Sequence, residues 1–342
     1  MSAAEDAVAR ATSARPVPPH TYAGRMRAIL VTEFGGPQVL VPTEVPDPEP
    51  GPGQLVITVD RAGINYADTH QAEDTYLSRS RLPLIPGGEV VGRAEDGRRV
   101  VALVDGGGYA ERAVVDPRQA FEVPDGVDDV SALALIVQGA TAWLLLHHTA
   151  RVQPGESVVV HAAAGGVGSL AVQLAHLLGA GRIIATASTP EKRELALSLG
   201  ADVAMDADDG DLTSALREAN GGERVDAVLD MTGGSTTDQS LAALAPFGRL
   251  AFYGMASRRP PTPVPPASLL AHSTSISGMW LPHAFTVPGL MPRVMSELFD
   301  LVTAGSLRVI AGGEYPLAEA RRAHEDLRAR RTMGKLVLDP TR

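Results

Sequence analysis

The sequence predicts an α/β protein in which a small β-rich domain is joined to a larger domain with a doubly wound parallel sheet. Three observations predict this fold. Short strand-like runs fill the first third of the chain, strands and helices alternate from about Asp128 onward, and a glycine-rich turn joins a strand to a helix close to Gly165. Alternating strands and helices are typical of a parallel sheet covered by helices on both faces.

The chain begins with a segment that we expect to be disordered. Residues 1–25 are rich in Ala, Ser, Arg and Pro and show no hydrophobic period. The fold is therefore predicted to start at Met26. Short apolar runs separated by turn residues then predict strands at 28–32, 55–59, 89–92, 100–104 and 109–115.

From about residue 128 the hydrophobic pattern changes to helices that alternate with strands. The units are predicted at 132–136, 140–149, 158–160, 183–186, 191–199, 212–219, 227–231, 241–244 and 250–253. A long helix is predicted at 291–304. A short last strand at 333–337 could return to the β-rich domain.

The turn that follows residue 160 carries the strongest signal. Three valines at 158–160 predict a strand buried on both faces, and the segment after Gly168 has helical spacing. Gly165, Gly166 and Gly168 let the backbone approach a phosphate without a Cβ in the way, and the N–H groups of the helix would face that anion. A loop that merely connects two elements is the alternative, which the strand before it and the helix after it disfavour. We assign the pyrophosphate of a dinucleotide to Ala164-Gly165-Gly166-Val167-Gly168, although Ala163 holds the first glycine position of a G-x-G-x-x-G pattern.

The next strand indicates which dinucleotide binds. An NAD site would have Asp or Glu near the end of this strand, where the acid holds the ribose 2′-hydroxyl. Ala187 and Ser188 occupy that place, and Lys192 and Arg193 follow. These two cations could neutralise a 2′-phosphate, so NADPH is the predicted cofactor. The alternative is that they form an exposed charged helix face.

Composition excludes several classes of function. The net charge of -10 and the lack of a basic stripe argue against a nucleic-acid partner. The chain has no cysteine, which excludes disulfides and catalytic thiols and removes the usual thiolate ligands of structural zinc. We identify no hydrophobic run of transmembrane length and no signal peptide, and therefore expect a cytoplasmic protein without a membrane partner.

Motifs spread from Met26 to the C-terminus point to a known family. The chain carries Gly63-Ile-Asn65-Tyr-Ala-Asp68, Ile85-Pro-Gly-Gly-Glu89-Val-Val-Gly92, Gly107-Gly-Tyr-Ala-Glu111, Gly139-Ala-Thr141-Ala, Asp226-Ala-Val-Leu-Asp230, Phe247-Gly-Arg-Leu250 and Gly334-Lys335-Leu-Val-Leu338, besides the glycine turn. As a set these motifs resemble the medium-chain dehydrogenase/reductase superfamily, in its zinc-independent, ζ-crystallin-like quinone oxidoreductase branch.

The resemblance implies the organisation of the chain. A GroES-like catalytic domain would consist of residues 26–127 and 281–342, a Rossmann cofactor domain would span 128–280, and the protein would usually be a homodimer. The zinc-dependent branch has Cys, His and Cys or Glu ligands, and typically Gly-His-Glu where this chain has Gly87-Gly88-Glu89. We therefore predict no metal.

The resemblance also implies roles for individual residues. Asn65 would lie beside the nicotinamide in the cleft, and Thr141 would contact the nicotinamide or its ribose. Ser188 and Lys192 would hold the 2′-phosphate. The other expected cofactor contacts are Gly254, Met255 and Lys335.

The substrate pocket is expected around Tyr76, Trp280 and Phe285. Tyr76 aligns with a tyrosine that related enoyl reductases use near the substrate, which makes Tyr76 and Asn65 the candidate catalytic residues. The run Glu73-Asp74-Thr75-Tyr76 lacks the glycine that usually precedes this tyrosine and carries extra acids. The alternative is that Tyr76 is an ordinary half-buried loop tyrosine.

The expected function is zinc-independent transfer of hydride from NADPH to a quinone or an α,β-unsaturated carbonyl compound. An enoyl reductase or a tailoring reductase of a biosynthetic pathway is the alternative within the same class. A non-catalytic NADPH-binding protein with a structural or regulatory role is the alternative from another class, and the altered loop around Tyr76 favours it.

Overall fold

The computed structural model describes residues 24–206, 208 and 210–342. Residues 1–23 of the predicted tail therefore lie outside the described residues. Strand β1 (Arg25–Leu30) includes Arg25, which the sequence assigned to the tail. It begins there because Arg25 pairs in register with Pro46 of β2 (Val41–Pro46), and its Nη2 donates to the carbonyl oxygen of Glu44 at 2.7 Å.

A seven-stranded sheet forms the β-rich part of the protein. Its strands are β3 (Leu55–Ile64), β4 (Glu89–Ala94), β5 (Arg99–Leu103), β6 (Arg112–Val115), β7 (Ala120–Glu122), β14 (Ala311–Pro316) and β15 (Lys335–Asp339). The order is β14-β15-β3-β4-β5-β7, with β6 also paired to β3. The last strand of the chain thus lies beside a strand from its first third, which confirms the predicted return to the β-rich domain.

A six-stranded sheet, parallel throughout, forms the second part. Its strands are β8 (Ser157–Val160), β9 (Arg182–Ala187), β10 (Val203–Asp206), β11 (Val225–Asp230), β12 (Leu244–Phe252) and β13 (Ser275–Gly278). The order β10-β9-β8-β11-β12-β13 is that of a Rossmann fold, and the predicted fold class is confirmed. The order in which successive strands are added to the sheet reverses between β8 and β11, so a ligand crevice opens at the carboxyl ends of these two strands.

The helices cover these sheets and connect their strands. They are α1 (Tyr66–Ala72), α2 (Asp129–Thr149), α3 (Gly166–Leu177), α4 (Pro190–Ser198), α5 (Leu212–Ala219), α6 (Ser235–Ala243), α7 (Pro266–Leu269), α8 (Leu290–Thr303) and α9 (Ala320–Arg328). Helix α8 packs against α2, whereas the predicted domain limits group it with the β-rich domain. Those limits stay a prediction.

Helix α2 differs from the sequence-based expectation in two ways. The two helices predicted at 132–136 and 140–149 form one helix, because Gly139 does not break it. A Cβ there would lie only 3.3 Å from Leu298 of α8, so glycine permits the close packing of the two helices. The helix is also long and apolar enough to cross a membrane, contrary to the expectation that no run has that length, but 83% of its apolar window is buried inside the protein. A helix that is apolar on all sides and mostly buried is typical of a protein core.

Candidate active site

The glycine turn lies at the crevice between β8 and β11. Gly168 must be glycine, because a Cβ there would overlap the carbonyl oxygen of Ala162 and lie 2.7 Å from the Cα of Ala163. Ala162 itself has a φ of 52°, in the left-handed region that favours glycine. The turn therefore has the tight backbone that the sequence predicted, although alanines hold two of its positions.

Helix α3 starts from this turn with free donors. Its N-cap, Gly165, has no side chain to satisfy the first N–H groups, and the first-turn N–H groups of a helix have no partner within the helix. The amide oxygen of Gln138 is buried without a partner among the described residues, and a Cβ on Gly166 would overlap that amide. Backbone donors and an unpaired acceptor thus meet at one place, which fits a ligand that carries both phosphate and hydroxyl groups.

Asn65 is held by side chains from three other parts of the chain. Its Nδ2 donates to Glu89 Oε1 at 2.7 Å, and its Oδ1 accepts from Gln138 Nε2 at 3.1 Å. Lys335 Nζ lies 3.5 Å from the same Oδ1. Asn65 also caps α1, in a reciprocal arrangement with Asp68. Because Gln138 contacts both Asn65 and the glycine turn, the structure brings these two predicted features together.

Lys335 lies beside Asn65 with its side chain completely buried, and its ammonium donates to Glu89 Oε1. A contact between this ammonium and the cofactor stays a prediction. Burial raises the pKa of Glu89, and the Lys335 ammonium opposes that rise. The contact between the terminal segment and the turn is made by backbone, since the N–H of Gly334 donates to the carbonyl oxygen of Ala164 at 2.9 Å.

A second buried polar group supports α1. The Tyr109 hydroxyl donates to Asp68 Oδ2 at 2.9 Å and lies 3.0 Å from His324 Nε2. Burial raises the pKa of Asp68 to about 6 and lowers that of His324 to about 4. The backbone N–H of Asn65 donates to the same Asp68 oxygen at 2.7 Å, so this group fixes the backbone from which the Asn65 side chain extends.

The structure separates the two cations predicted after β9. Arg193 is engaged by Asp206 at 2.9 Å and by the carbonyl oxygen of Ala187 at 3.1 Å. Lys192 Nζ donates to the carbonyl oxygen of Arg330 at 2.6 Å, and Ser188 is half-buried next to the start of α4. Burial, with the charge of Arg330, lowers the pKa of Lys192. No local pattern near Lys192 indicated Arg330, which lies 138 residues away in the chain.

Two predicted pocket residues meet across the cleft, and the third does not join them. Trp280 Nε1 donates to the Tyr76 hydroxyl at 3.0 Å, and burial raises the pKa of Tyr76. Asp74 has a φ of 52°, so the loop has the left-handed turn expected of the glycine that is missing there. Phe285 instead packs against Phe121 of β7, with ring centroids 6.4 Å apart.

The remaining predicted contacts lie on elements that border the crevice. Thr141 is nearly buried on α2, at 7% exposed. Gly254 and Met255 follow β12 at the carboxyl edge of the parallel sheet, where ligands of this fold bind.

A clasp that the sequence did not indicate joins the loop after β12 to α1. Arg258 is ion-paired with Glu73 and donates to Thr69 Oγ1 at 3.0 Å, and Tyr66 donates to the carbonyl oxygen of Ala256 at 3.0 Å. Arg328 of α9 binds the same Glu73 at 2.5 Å. The backbone at Arg258 is consistent with such a clasp, since Arg258 has a φ of 58° that residues other than glycine seldom adopt without compensating contacts. This angle is visible only in the structure.

The fold and the site together define a two-domain oxidoreductase with a dinucleotide crevice. Residues 51–125 match the alcohol dehydrogenase GroES-like domain family, and residues 166–300 match the zinc-binding dehydrogenase family. A 2-haloacrylate reductase from Burkholderia sp. is 35% identical over 329 residues, which cover 92% of this chain and 98% of that protein. The quinone oxidoreductase of Pseudomonas aeruginosa is 34% identical, and the alignment covers 92% of this chain and 99% of that protein.

Solved structures agree with these matches. A mycobacterial protein in complex with NADPH has a TM-score of 0.86 at 39% identity, and Escherichia coli quinone oxidoreductase in complex with NADPH has 0.86 at 30%. Each alignment covers 92% of this chain and 100% of the other. The chain belongs to the quinone oxidoreductase branch of the medium-chain dehydrogenase/reductase superfamily.

Proposed function

We propose that this protein is a zinc-independent, NADPH-dependent oxidoreductase that transfers hydride to a quinone or an α,β-unsaturated carbonyl compound. The observation that carries the proposal is the position of Gln138, which joins Asn65 to the glycine turn. The candidate nicotinamide contact and the phosphate site therefore lie side by side. The relatives named as quinone oxidoreductases, and the two solved as NADPH complexes, support the cofactor and the class of acceptor.

The chain offers suitable groups for each part of the cofactor. The N–H groups at the start of α3, from Gly166 onward, would bind the pyrophosphate. Lys192, Ser188 and the guanidinium of Arg330 would surround the 2′-phosphate. No acid stands at the end of β9, where an acid would repel a 2′-phosphate. When bound there, NADPH supplies the hydride.

The residues around the acceptor have to orient it and to stabilise the oxygen that becomes negative. Asn65 is suited to orientation, because its partners Glu89 and Gln138 fix both ends of its amide. Tyr76 is suited to the oxygen, because it is a neutral hydroxyl that can donate a hydrogen bond. We place Asn65 on the nicotinamide side and Tyr76 on the acceptor side of the reaction.

The donor groups present do not suit a catalytic zinc ion. The chain has no cysteine, and Glu89, which follows Gly88 where a histidine ligand is usual, is bound to Lys335 instead. Within the described ranges, no three His, Asp or Glu side chains are grouped as metal ligands. Turnover should therefore survive prolonged treatment with a strong chelator, and its loss there, with recovery on adding Zn²⁺, would contradict the zinc-free assignment.

The cofactor assignment is tested by Lys192→Ala. Loss of a partly exposed cation from the 2′-phosphate should weaken NADPH binding about tenfold and leave NADH binding nearly unchanged. Both dissociation constants are measured by titrating the fluorescence of the reduced nicotinamide. Arg118→Ala removes one exposed charge from a position far along the chain and should change neither value. Equal weakening of NADPH and NADH would show that Lys192 does not bind the 2′-phosphate.

The acceptor is identified by following NADPH oxidation with two classes of compound. A para-quinone and a cyclic 2-enone, offered separately, distinguish a quinone reductase from an enone or enoyl reductase. Tight NADPH binding without oxidation across a broad panel of electrophiles would instead favour a binding protein without turnover. Homodimerisation stays a prediction from the family resemblance, and a cytoplasmic location stays a prediction from the sequence.

A further inference from the structure

Trp280 and Tyr76 form a hydrogen bond that crosses the cleft. Trp280 follows β13 at the carboxyl edge of the parallel sheet, and Tyr76 lies in the loop after α1, 204 residues away in the chain. The bond from Nε1 to the hydroxyl measures 3.0 Å, and the two rings meet edge to face with centroids 6.4 Å apart. The loop of Tyr76 is thus attached to the cofactor side of the cleft by a directed contact of its own, besides the clasp at Glu73.

The chemistry of the two side chains fixes the direction of this bond. An indole N–H can only donate, whereas a phenol can both donate and accept. The Tyr76 oxygen is therefore the acceptor, and its own hydrogen must point elsewhere. In the part of the chain that the structure describes, the Tyr76 hydroxyl makes no other hydrogen bond. Its hydrogen is free for a molecule in the cleft, and burial keeps the hydroxyl protonated by raising its pKa.

The indole is itself held in place from the cofactor side. The N–H of Met279, the residue before it, donates to the carbonyl oxygen of Phe252 at 2.9 Å, as an extension of the β12–β13 pairing. The ring of His283 packs edge-on against the indole with centroids 5.1 Å apart. The position of the Nε1 donor is therefore set by the parallel sheet and not by the mobile end of a side chain.

We propose that Trp280 is a positioning residue, whose indole N–H occupies the acceptor side of the Tyr76 hydroxyl and so directs the phenolic hydrogen toward the oxygen of the bound hydride acceptor. This inference rests on the proposed function. It assigns Trp280 to orientation of Tyr76 and not to a general apolar wall of the pocket. It also makes the bond a link between the loop of Tyr76 and the sheet that carries the cofactor.

A double-mutant cycle separates this role from simple packing. Trp280→Phe keeps an aromatic ring and removes only the donor, and Tyr76→Phe removes the hydroxyl. We expect Trp280→Phe to lower kcat about tenfold, equivalent to about 1.4 kcal/mol, with the KM for NADPH unchanged, because the phenolic hydrogen is then no longer directed toward the acceptor oxygen. In the Tyr76→Phe background the same substitution should have no further effect.

Nuclear magnetic resonance of the tryptophan side chains gives a readout without turnover. The chain has two tryptophans, and the Nε1 of Trp143 is buried with no hydrogen-bond partner in residues 24–206, 208 and 210–342. Tyr76→Phe should therefore shift one indole N–H resonance upfield and leave the other in place. Trp143→Phe is the matched control, since it removes the unaffected resonance and should leave kcat unchanged.

The outcomes are distinct. Additive losses in the double variant, an unchanged kcat in Trp280→Phe, or an indole resonance that ignores Tyr76→Phe would each overturn the inference while the proposed function stands. Absence of NADPH oxidation by the unaltered protein with every acceptor would instead count against the proposed function. The resonance test applies even where Trp280→Phe does not fold, because it uses the native indole.

Discussion

Replacing Lys335 by methionine should destabilise the protein strongly, although no surface contact is lost. The ammonium of Lys335 is fully buried, and its ion pair with the equally buried Glu89 is what neutralises that carboxylate. The other carboxylate oxygen, Glu89 Oε2, is already buried and has no partner within the part of the chain that the structure describes. The Lys335→Met variant would therefore leave a buried negative charge with only the amide of Asn65 to stabilise it.

The magnitude follows from the burial of both partners. Breaking a buried pair by removing one partner costs about 3–5 kcal/mol, because the remaining charge is uncompensated. An unfolding entropy of about 2.1 cal/mol/K per residue gives roughly 0.7 kcal/mol/K for a chain of 342 residues. The melting temperature should therefore fall by about 4–7 °C.

Thermal unfolding without cofactor measures this loss. The double variant Glu89→Gln/Lys335→Met is the matched control, because it removes both charges and keeps an oxygen to accept from Asn65. It should recover at least half of the lost melting temperature, since a neutral pair of similar volume is often as stable as a buried ion pair.

Two results would refute this reasoning. A Lys335→Met variant with the same melting temperature as the unaltered protein would mean that Glu89 is not held as an anion by Lys335. A double variant that loses as much as the two single variants together would mean that the charges do not interact. A Lys335→Met variant with normal stability but weaker NADPH binding would support the direct cofactor contact that the sequence suggested for Lys335.

Two further predictions concern the supports of the site. The pKa of Asp68 is about 6 in the folded protein against an ordinary 3.8, so the contribution of Asp68 to stability is complete below pH 4 and is lost as the pH rises through 6. In urea titrations the unaltered protein should therefore lose about 3 kcal/mol of unfolding free energy relative to Asp68→Asn between those limits. A difference that stays constant with pH would show that Asp68 is not buried as a carboxyl. Gly168→Ala should weaken NADPH binding at least tenfold, because the new Cβ forces the turn away from Ala162 at an overpacking cost of about 1–3 kcal/mol. Gly210→Ala is the control, since open space surrounds Gly210 and binding should stay unchanged. Equal affinities of the two variants would mean that the turn does not hold the cofactor.

The pattern of the sequence was sufficient for the elements around the glycine turn, whose role as a phosphate site stays a prediction. The valines at 158–160, the glycines after them and the apolar residues at helical spacing follow one another in the chain, so their spacing alone specifies strand, turn and helix. The same local rule failed at Gly139, where a glycine expected to separate two helices lies inside one. Its reason is a neighbour on α8, which no local pattern reveals.

The partners of the site residues required the fold. Glu89 and Lys335 are 246 residues apart, and Arg258 and Glu73 are 185 apart, so each pair forms only because the sheets and loops that carry them are packed together. The sequence analysis named Lys335 as an expected cofactor contact, but it could not show that the Lys335 ammonium is buried against Glu89. Similarly, it placed Tyr76 and Trp280 in one pocket without the hydrogen bond that orients them.

By itself, then, the sequence determined that a parallel sheet with a dinucleotide turn is joined to a β-rich domain, because hydrophobic period and glycine spacing act over a few residues. The tertiary structure alone decided which charged groups are buried in pairs and which stay partly exposed. Lys192 remains at the surface beside Arg330, whereas Lys335 is buried against Glu89. The physical reason is that the free energy of a charge depends on burial and on partners brought from distant segments, and neither is written in the residues next to it.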